Sequence, residues 1–535
     1  MVDSGAFEED AGLTGRASGL RFSAPWMIFW VGFGLRVAVI LIGHTYKVRT
    51  DQANFNFGFE AGRIARSVAT GHGYANPFNG VSGPTAWLTP LYPLLMAAAF
   101  KLFGVYSRGA ALALLVADSA FSAAVAPAVY EIAERCFDAR GIARRGSKYA
   151  APVALWSAWL WAVYPAALQY AVHWIWEMSL TVCLFSWAIV VTLRLRGVGE
   201  DVGDSANPTH DDRTVVNGAP HGLEEQGPGL KPLLGGIDEM RGLKPSPNPE
   251  RHELKPSPHT ERQGRKLGLW AGLGMLWGLI ALSNASLLLC LPAMMVWVAW
   301  PELRRWRISL RMVGGAALTC VMFAVVLAPW VMRNERVLHA LVLTRSNFGV
   351  ELYESTLERN DGFPWGTTLP LWTGDPVFKE FVRVGEVRFA KMRGDEAKER
   401  IRARPGRTAK WTLDRFLFFW DGTPHPANGK PVQEYLRQLS YCFLSVCGLL
   451  GLALMVRLHP NGQRTPAGDP GRRVEGAGLI ALIFLLLPLP YYLVTVQPRF
   501  RHPMEPLIAV LAVVLFRSTG IREQGLGMRR DDAEA

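Results

Sequence analysis

Apolar residues along this chain are gathered into runs instead of being spread at helical or strand period, and several runs reach the roughly 18–20 residues that cross a ~30 Å hydrocarbon core. They predict ten spans, at residues 24–43, 110–129, 151–172, 178–193, 267–282, 285–300, 312–330, 439–456, 477–496 and 507–516. The fold class expected is an all-α polytopic membrane protein. Its organisation reads as a tail (1–23), a membrane module (24–330), a non-membrane segment (331–436), C-terminal spans (437–517) and a second tail (518–535). Patches such as TAKWTLDRFLFFWDGTP in the 331–436 segment look amphipathic, which predicts a small external unit packed on the membrane.

Polar stretches between the runs set the topology. Arg16 and Arg21 precede the first span, and Arg135, Arg140, Arg144, Arg145 and Lys148 follow the second. Basic loops favour the cytoplasmic side, so both termini are expected inside. The apolar stretch 88–104, LTPLYPLLMAAAFKLFG, then has to be a re-entrant or interfacial helix, because one more crossing would put the basic loop outside. The first external loop is therefore long, 44–105. Residues 197–266, rich in Pro, Gly and charge and carrying LKPSP twice, are expected to be disordered and cytoplasmic.

Composition adds little that conflicts. The chain has 535 residues, is 50% hydrophobic and carries 19 Trp and 26 Phe. Its net charge of +12 follows from basic loop ends, and no basic-aromatic array argues for nucleic acid. Six cysteines without CxxC spacing predict neither a disulfide framework nor a zinc site. The polar start of the chain has no basic n-region, so no cleaved signal peptide is expected, and the first span would direct insertion.

Chemistry concentrates in the loops placed outside. Glu60 stands in an amphipathic turn beside Arg63, and Asp51 is the other acid of that loop. Glu177 lies in a short aromatic turn, HWIWEMS, with His173 nearby. Arg499, Arg501 and His502 sit in the turn QPRFRHPMEP, against the positive-inside bias. Arginines at a membrane surface suit phosphate through planar bidentate donation, while pairing with Glu505 or lipid contact is the structural alternative. Arg36 lies inside the first span, where a charge costs about 2.5–3.5 kcal/mol on insertion scales. It faces either the bundle or, by snorkelling, the interface.

Four segments taken together, FEAGRIARSVATGHGYANPF (59–78), GPTAWLTPLYPLL (83–95), RSNFG (345–349) and RFRHPMEPL (499–507), resemble bacterial glycosyltransferases of the GT-C superfamily. The likeness points to the family 39-like group, related to protein O-mannosyltransferases and lipid A aminoarabinose transferases. It implies a GT-C-like bundle and an inverting transfer of a sugar from a polyprenyl-phosphate donor to a protein, lipid or glycan acceptor. The reaction would run at the outer face of the cytoplasmic (inner) membrane. Under this resemblance Glu60, or alternatively Asp51, is the general base, and Glu177 a second acid. Arg499, Arg501 and His502 would hold the phosphate; from the residues themselves, Arg345 either assists or is a solvated surface arginine, Arg63 shares a helix face with Glu60, and Trp87 and Tyr92 either stack on a sugar face or belong to an interfacial aromatic belt. Many relatives carry an aspartate about two turns before the alanine matching Ala65, where Phe57 stands here. A divalent cation, Mg or Mn, stays open, since His173 and Glu177 alone are an incomplete ligand set. A transporter or flippase of lipid-linked sugars is the alternative function, although no inverted repeat is visible.

Overall fold

The computed structural model describes residues 24–48, 55–138, 153–199, 258–358, 372–422, 431–457 and 475–517. The expectations for Asp51, for both tails, for the basic loop around Arg140 and for most of the 197–266 insert therefore lie outside the described residues. The chain divides into two compact units, residues 1–199 with 267–535, and residues 200–266. Every candidate site residue belongs to the first.

The architecture is helical, and among the described residues the only β pairings are two isolated bridges. Among the described residues seven helices are long and apolar enough to cross a membrane: 24–42, 108–137, 178–196, 285–303, 310–338, 437–456 and 476–493. They match seven of the ten expected spans. The other three differ for local reasons. The run 151–172 is broken into α5 (Val153–Ala162) and α6 (Pro165–His173), because Pro165 has no N–H to continue the ladder. The run 267–282 is the second half of α8 (Pro258–Ala281), whose start is polar, and the last span is a helix whose described residues are 505–517. The 88–104 stretch is a 13-residue helix, α3 (Leu91–Phe103). At 1.5 Å per residue it is about 20 Å long, too short to span by itself.

Helix α1 (Ala24–Ile42) shows how the bundle is assembled. Ile28, Gly32, Arg36 and Ile40, one turn apart, are its buried residues, while Trp26, Trp30, Leu41 and Ile42 on the remaining surface are exposed. One stripe packs on protein, and the other suits lipid. Arg36 resolves toward the bundle. It is fully buried, and its guanidinium donates to the carbonyls of Gly32 (2.9 Å) and Ala162 (3.0 Å) and to Ser122 Oγ (3.2 Å). The Ala162 carbonyl is the last of α5, left over at the break before Pro165.

At the centre stands α4 (Arg108–Ala133), packed against α1, α5, α6 and α7 (Met178–Arg196). The main core joins α4, α5 and α7 to α8, α9 (Cys290–Leu303), α16 (Glu475–Leu486) and the 505–517 helix. A second core joins α2 (Glu60–Ala69), α3 and the start of α4 to the α6–α7 turn.

After α10 (Leu310–Leu338) the 331–436 segment holds α11 (Phe348–Glu354), α12 (Pro376–Val384), α13 (Glu386–Ala403) and α14 (Pro405–Asp421), followed by α15 (Pro431–Arg457). It is tied to the first loop by several hydrogen bonds, with one carboxylate among them. Glu386 accepts from Thr85 Oγ1, from the Ala86 N–H (2.7 Å) and from Ser346 Oγ (2.6 Å). From the other side Arg333 donates to the carbonyls of Thr85 and Tyr74, each at 2.6 Å, and lies over the rings of Tyr74 and Trp330. Burial of the Glu386 carboxyl outweighs these bonds and pushes its pKa up.

Candidate active site

Glu60 is the first residue of α2, where the unpaired N–H groups and the helix dipole favour a negative side chain. The chain reaches it through Gly58 and Phe59, both at positive φ (70° and 47°). Gly58 is required there on two counts. A Cβ would sit 3.1 Å from the Ile175 carbonyl and 3.8 Å from Trp176 Cδ1, and an L side chain is strained at that φ. A bare backbone thus lets the Glu60 turn close onto the α6–α7 turn, which carries Trp174, Trp176 and Glu177. Glu177 occupies the N-cap position of α7.

The third contributor comes from the far end of the chain. Arg499, in the tight helical turn Pro498–Met504, lays its guanidinium 4.0 Å from the Trp176 ring centroid and 5.3 Å from that of Phe500. Among the described residues no carboxylate lies within ion-pairing distance of it, and its buried Nε has no hydrogen-bond partner. Desolvation lowers its pKa, while Glu177, Glu60 and Glu351 act on it electrostatically in the other direction. The Glu60 carboxyl is raised, first by desolvation, against the opposing pull of its own backbone N–H, Arg63 and Arg499.

Two acids that sequence reasoning passed over complete the cluster. Glu351, on α11, pairs with Arg345 at 3.1 Å and accepts from Asn347 Nδ2 at 2.9 Å. Glu354, one turn on, is 6% exposed, and its Oε1 has no hydrogen-bond partner. Burial, then Glu351 and Glu60, push its pKa up to about 8. The signal that would have found them is a pair of acids three residues apart directly after the RSNFG segment. A third acid, Asp118, lies fully buried inside α4 and accepts from Tyr92 Oη at 2.6 Å. A lone carboxylate inside an apolar run is a functional flag that hydropathy alone does not raise.

Other expected site residues fall elsewhere. Arg501 and His502 are fully buried, turned away from Arg499 and engaged with protein. Arg501 donates to Ser445 Oγ (2.5 Å) and the Tyr441 carbonyl (3.2 Å), lies over the Tyr441 ring and pairs with Glu505 at 3.5 Å. Desolvation opposes its charge, but Tyr441 and Glu505 outweigh it and its pKa is raised. His502 Nδ1 stands 2.6 Å from Glu505 Oε2, and its ring stacks on Trp161. Pairing with Glu505, the structural alternative, is what these two side chains do.

Trp87 and Tyr92 need a correction. Trp87 is 1% exposed and packs edge-to-face with Phe78 and Phe381, and Tyr92 is 2% exposed on Asp118. Neither ring offers a free face to a sugar. Arg63 is 2% exposed, donates to the Pro77 carbonyl at 3.4 Å and acts on Glu60 through its field. Among the described residues no three His, Cys, Asp or Glu side chains are grouped to hold a metal ion. The divalent cation left open by the sequence thus has no three-ligand group among the described residues, and no catalytic step is assigned to one.

No protein-family model matches the chain, and no curated protein matches it. In structure it is similar to the oligosaccharyltransferase AglB from Archaeoglobus fulgidus, solved with an inhibitory peptide and a dolichol-phosphate (12% identity, TM-score 0.47, 95% of this chain and 52% of that one). The same enzyme has been solved with Zn and sulfate (13% identity, TM-score 0.47, 94% and 49%). This chain thus spans about half the length of that protein. It is also similar to ArnT from Cupriavidus metallidurans bound to undecaprenyl phosphate (15% identity, TM-score 0.31, 91% and 77%).

Proposed function

We propose that the protein is a GT-C-type inverting glycosyltransferase that moves a sugar from a polyprenyl-phosphate donor to a hydroxyl-bearing acceptor at the outer face of the cytoplasmic membrane. The observation that carries this reading is Arg499. A partly buried guanidinium with no ion pair among the described residues, stacked on Trp176 and lying in the field of Glu60 and Glu177, is suited to holding an anion. The sequence likeness supplies the class of anion, a lipid phosphate.

In the step proposed, the acceptor oxygen attacks the anomeric carbon from the face opposite the phosphate. The new C–O bond forms as the bond to phosphate breaks, and the electron pair leaves on the phosphate oxygen. Arg499 stabilises that growing charge, in a site where water is scarce and the interaction strong. Glu60 accepts the hydroxyl proton. Its raised pKa makes it a stronger base than an exposed carboxylate and places it nearer the working pH. Glu177 orients the acceptor.

Reconstitution with radiolabelled polyprenyl-phosphate sugars and candidate acceptors tests this. Glu60→Gln is expected to lower transfer roughly 10²-fold or more, as removal of a general base does. Arg499→Ala is expected to lower kcat/KM. Asp51→Asn, run in parallel, decides between the two loop acids. Transfer untouched by all three substitutions overturns the reading, and donor movement across the bilayer without any product favours the transporter.

A further inference from the structure

Beside Arg499 is a small cavity of about 190 Å³, lined by Phe55, Asn56, His173, Trp174 and Trp176. Three of its walls are aromatic rings set mutually edge-to-face: Phe55–Trp174 at 5.2 Å, Trp174–Trp176 at 5.7 Å and Phe55–Trp176 at 5.9 Å between centroids. Phe59 backs this box, 4.8 Å from Phe55 and 6.0 Å from Trp176, and is the residue immediately before Glu60. Arg499 thus lies against Trp176, one of the walls, and the turn that presents the carboxylate packs through Phe59 on Phe55 and Trp176, without either lining the cavity itself.

We infer that the Phe55–Trp174–Trp176 box is the seat of a single hexopyranose ring, the sugar whose phosphate Arg499 holds. This rests on the transferase reading above and names the part of the donor that the box takes. Size is the first argument, because about 190 Å³ falls below the roughly 300–1,000 Å³ of pockets for drug-sized ligands. It suits one ring. Chemistry is the second. A sugar ring presents C–H faces, which aromatic side chains cover, and hydroxyl edges, which need donors and acceptors such as the Asn56 amide and the His173 imidazole. A prenyl chain would gain nothing from those two polar groups and would desolvate them at a cost.

Position is the third argument. Trp176 is shared: it forms a cavity wall and carries the guanidinium 4.0 Å from its ring. A ring bonded through its anomeric oxygen to a phosphate on Arg499 has this cavity next to it. The Glu60 turn, through Phe59, borders the same rings. An interfacial aromatic belt alone would not require three rings to converge on one polar-rimmed hollow.

Calorimetric titration of the full chain in lipid nanodiscs tests the seat with two probes, a short-chain prenyl phosphate bearing a hexopyranose and the same prenyl phosphate without sugar. Wild type is expected to prefer the glycosylated probe by roughly tenfold, about 1.4 kcal/mol. Phe55→Ala and Trp174→Ala are expected to bring that preference close to unity and leave the Kd of the bare phosphate within about twofold. Trp174→Phe, which keeps a ring, is expected to retain most of it, so that loss in the alanine variant is not mere misfolding. The inference is overturned by wild type binding both probes equally or neither. It is equally overturned by alanine variants that keep the preference or weaken both probes alike, the latter meaning that the box takes the prenyl chain. The transferase reading fails separately: a preference abolished by the box variants in a protein that forms no transfer product leaves the seat standing, and normal transfer with unchanged KM in Trp174→Ala removes the seat alone.

Discussion

Replacing Glu354 by Gln makes a prediction whose sign is fixed by the burial of that side chain. In the folded protein its carboxyl is raised to about 8 from an ordinary value of 4.5, by desolvation first and then by Glu351 and Glu60. The unfolded chain releases the proton near 4.5, the folded one near 8. The stabilisation from keeping that proton is therefore complete below about pH 4.5 and is lost as pH rises through about 8. At about 1.4 kcal/mol per pH unit the loss across this window is at most ~5 kcal/mol. A glutamine cannot ionise, so Glu354→Gln should flatten this part of the stability profile. Thermal midpoints of wild type and variant in one detergent, measured from about pH 5 to about pH 8.5, give the difference between the two proteins at each pH. That difference is expected to move in favour of the variant by on the order of 5 °C as pH rises, then level off. Comparing differences cancels the fixed cost of exchanging an oxygen for an amide. A constant difference over the window, or one that moves toward wild type, refutes the reasoning.

The raised Glu60 carboxyl predicts that transfer rises with pH through a point above the ordinary carboxylate range, because only the ionised form accepts a proton; a pH–kcat/KM profile that is flat in wild type contradicts it. Glu386→Ala leaves the Thr85 hydroxyl, the Ala86 N–H and the Ser346 hydroxyl without their acceptor, at about 1–3 kcal/mol for each group that stays buried, and is expected to speed proteolysis within residues 74–87. Arg36→Leu strips the Ala162 carbonyl of its donor at the α5 break and is expected to lower the thermal midpoint by the equivalent of about 1–3 kcal/mol, with KM unchanged, since its hydrogen bonds run to Gly32, Ser122 and Ala162 and not to the site.

Much of the helical framework was legible in the runs of apolar residues, because a segment that must satisfy its own backbone in hydrocarbon has few structures open to it. The failures were equally local. Pro165 sits in the middle of an expected span, and its missing N–H splits that span into α5 and α6. Glu60 was singled out by its place in a long loop, and Arg499 by its defiance of the charge bias, both properties of a single segment. The burial of Trp87 and Tyr92 was not legible because an aromatic side chain in a loop looks the same in sequence whether its ring is buried or bare. Arg501 and His502 share a turn with Arg499 and differ only in which way the turn points them.

By itself, then, the sequence determined where the chain is apolar enough to cross a membrane, which loops carry acids and arginines, and that a glycine precedes the Glu60 turn. Only the tertiary structure decided which of those charges meet. Arg499 is set on Trp176 and in the field of Glu60 and Glu177, whereas Arg501 is withdrawn onto Glu505, and Glu351 and Glu354 are brought in from a helix that no single segment associates with them. The physical reason is that periodicity and propensity act over a few turns of chain. A desolvated charge is instead governed by whatever the fold places within several ångströms of it, from any distance in sequence.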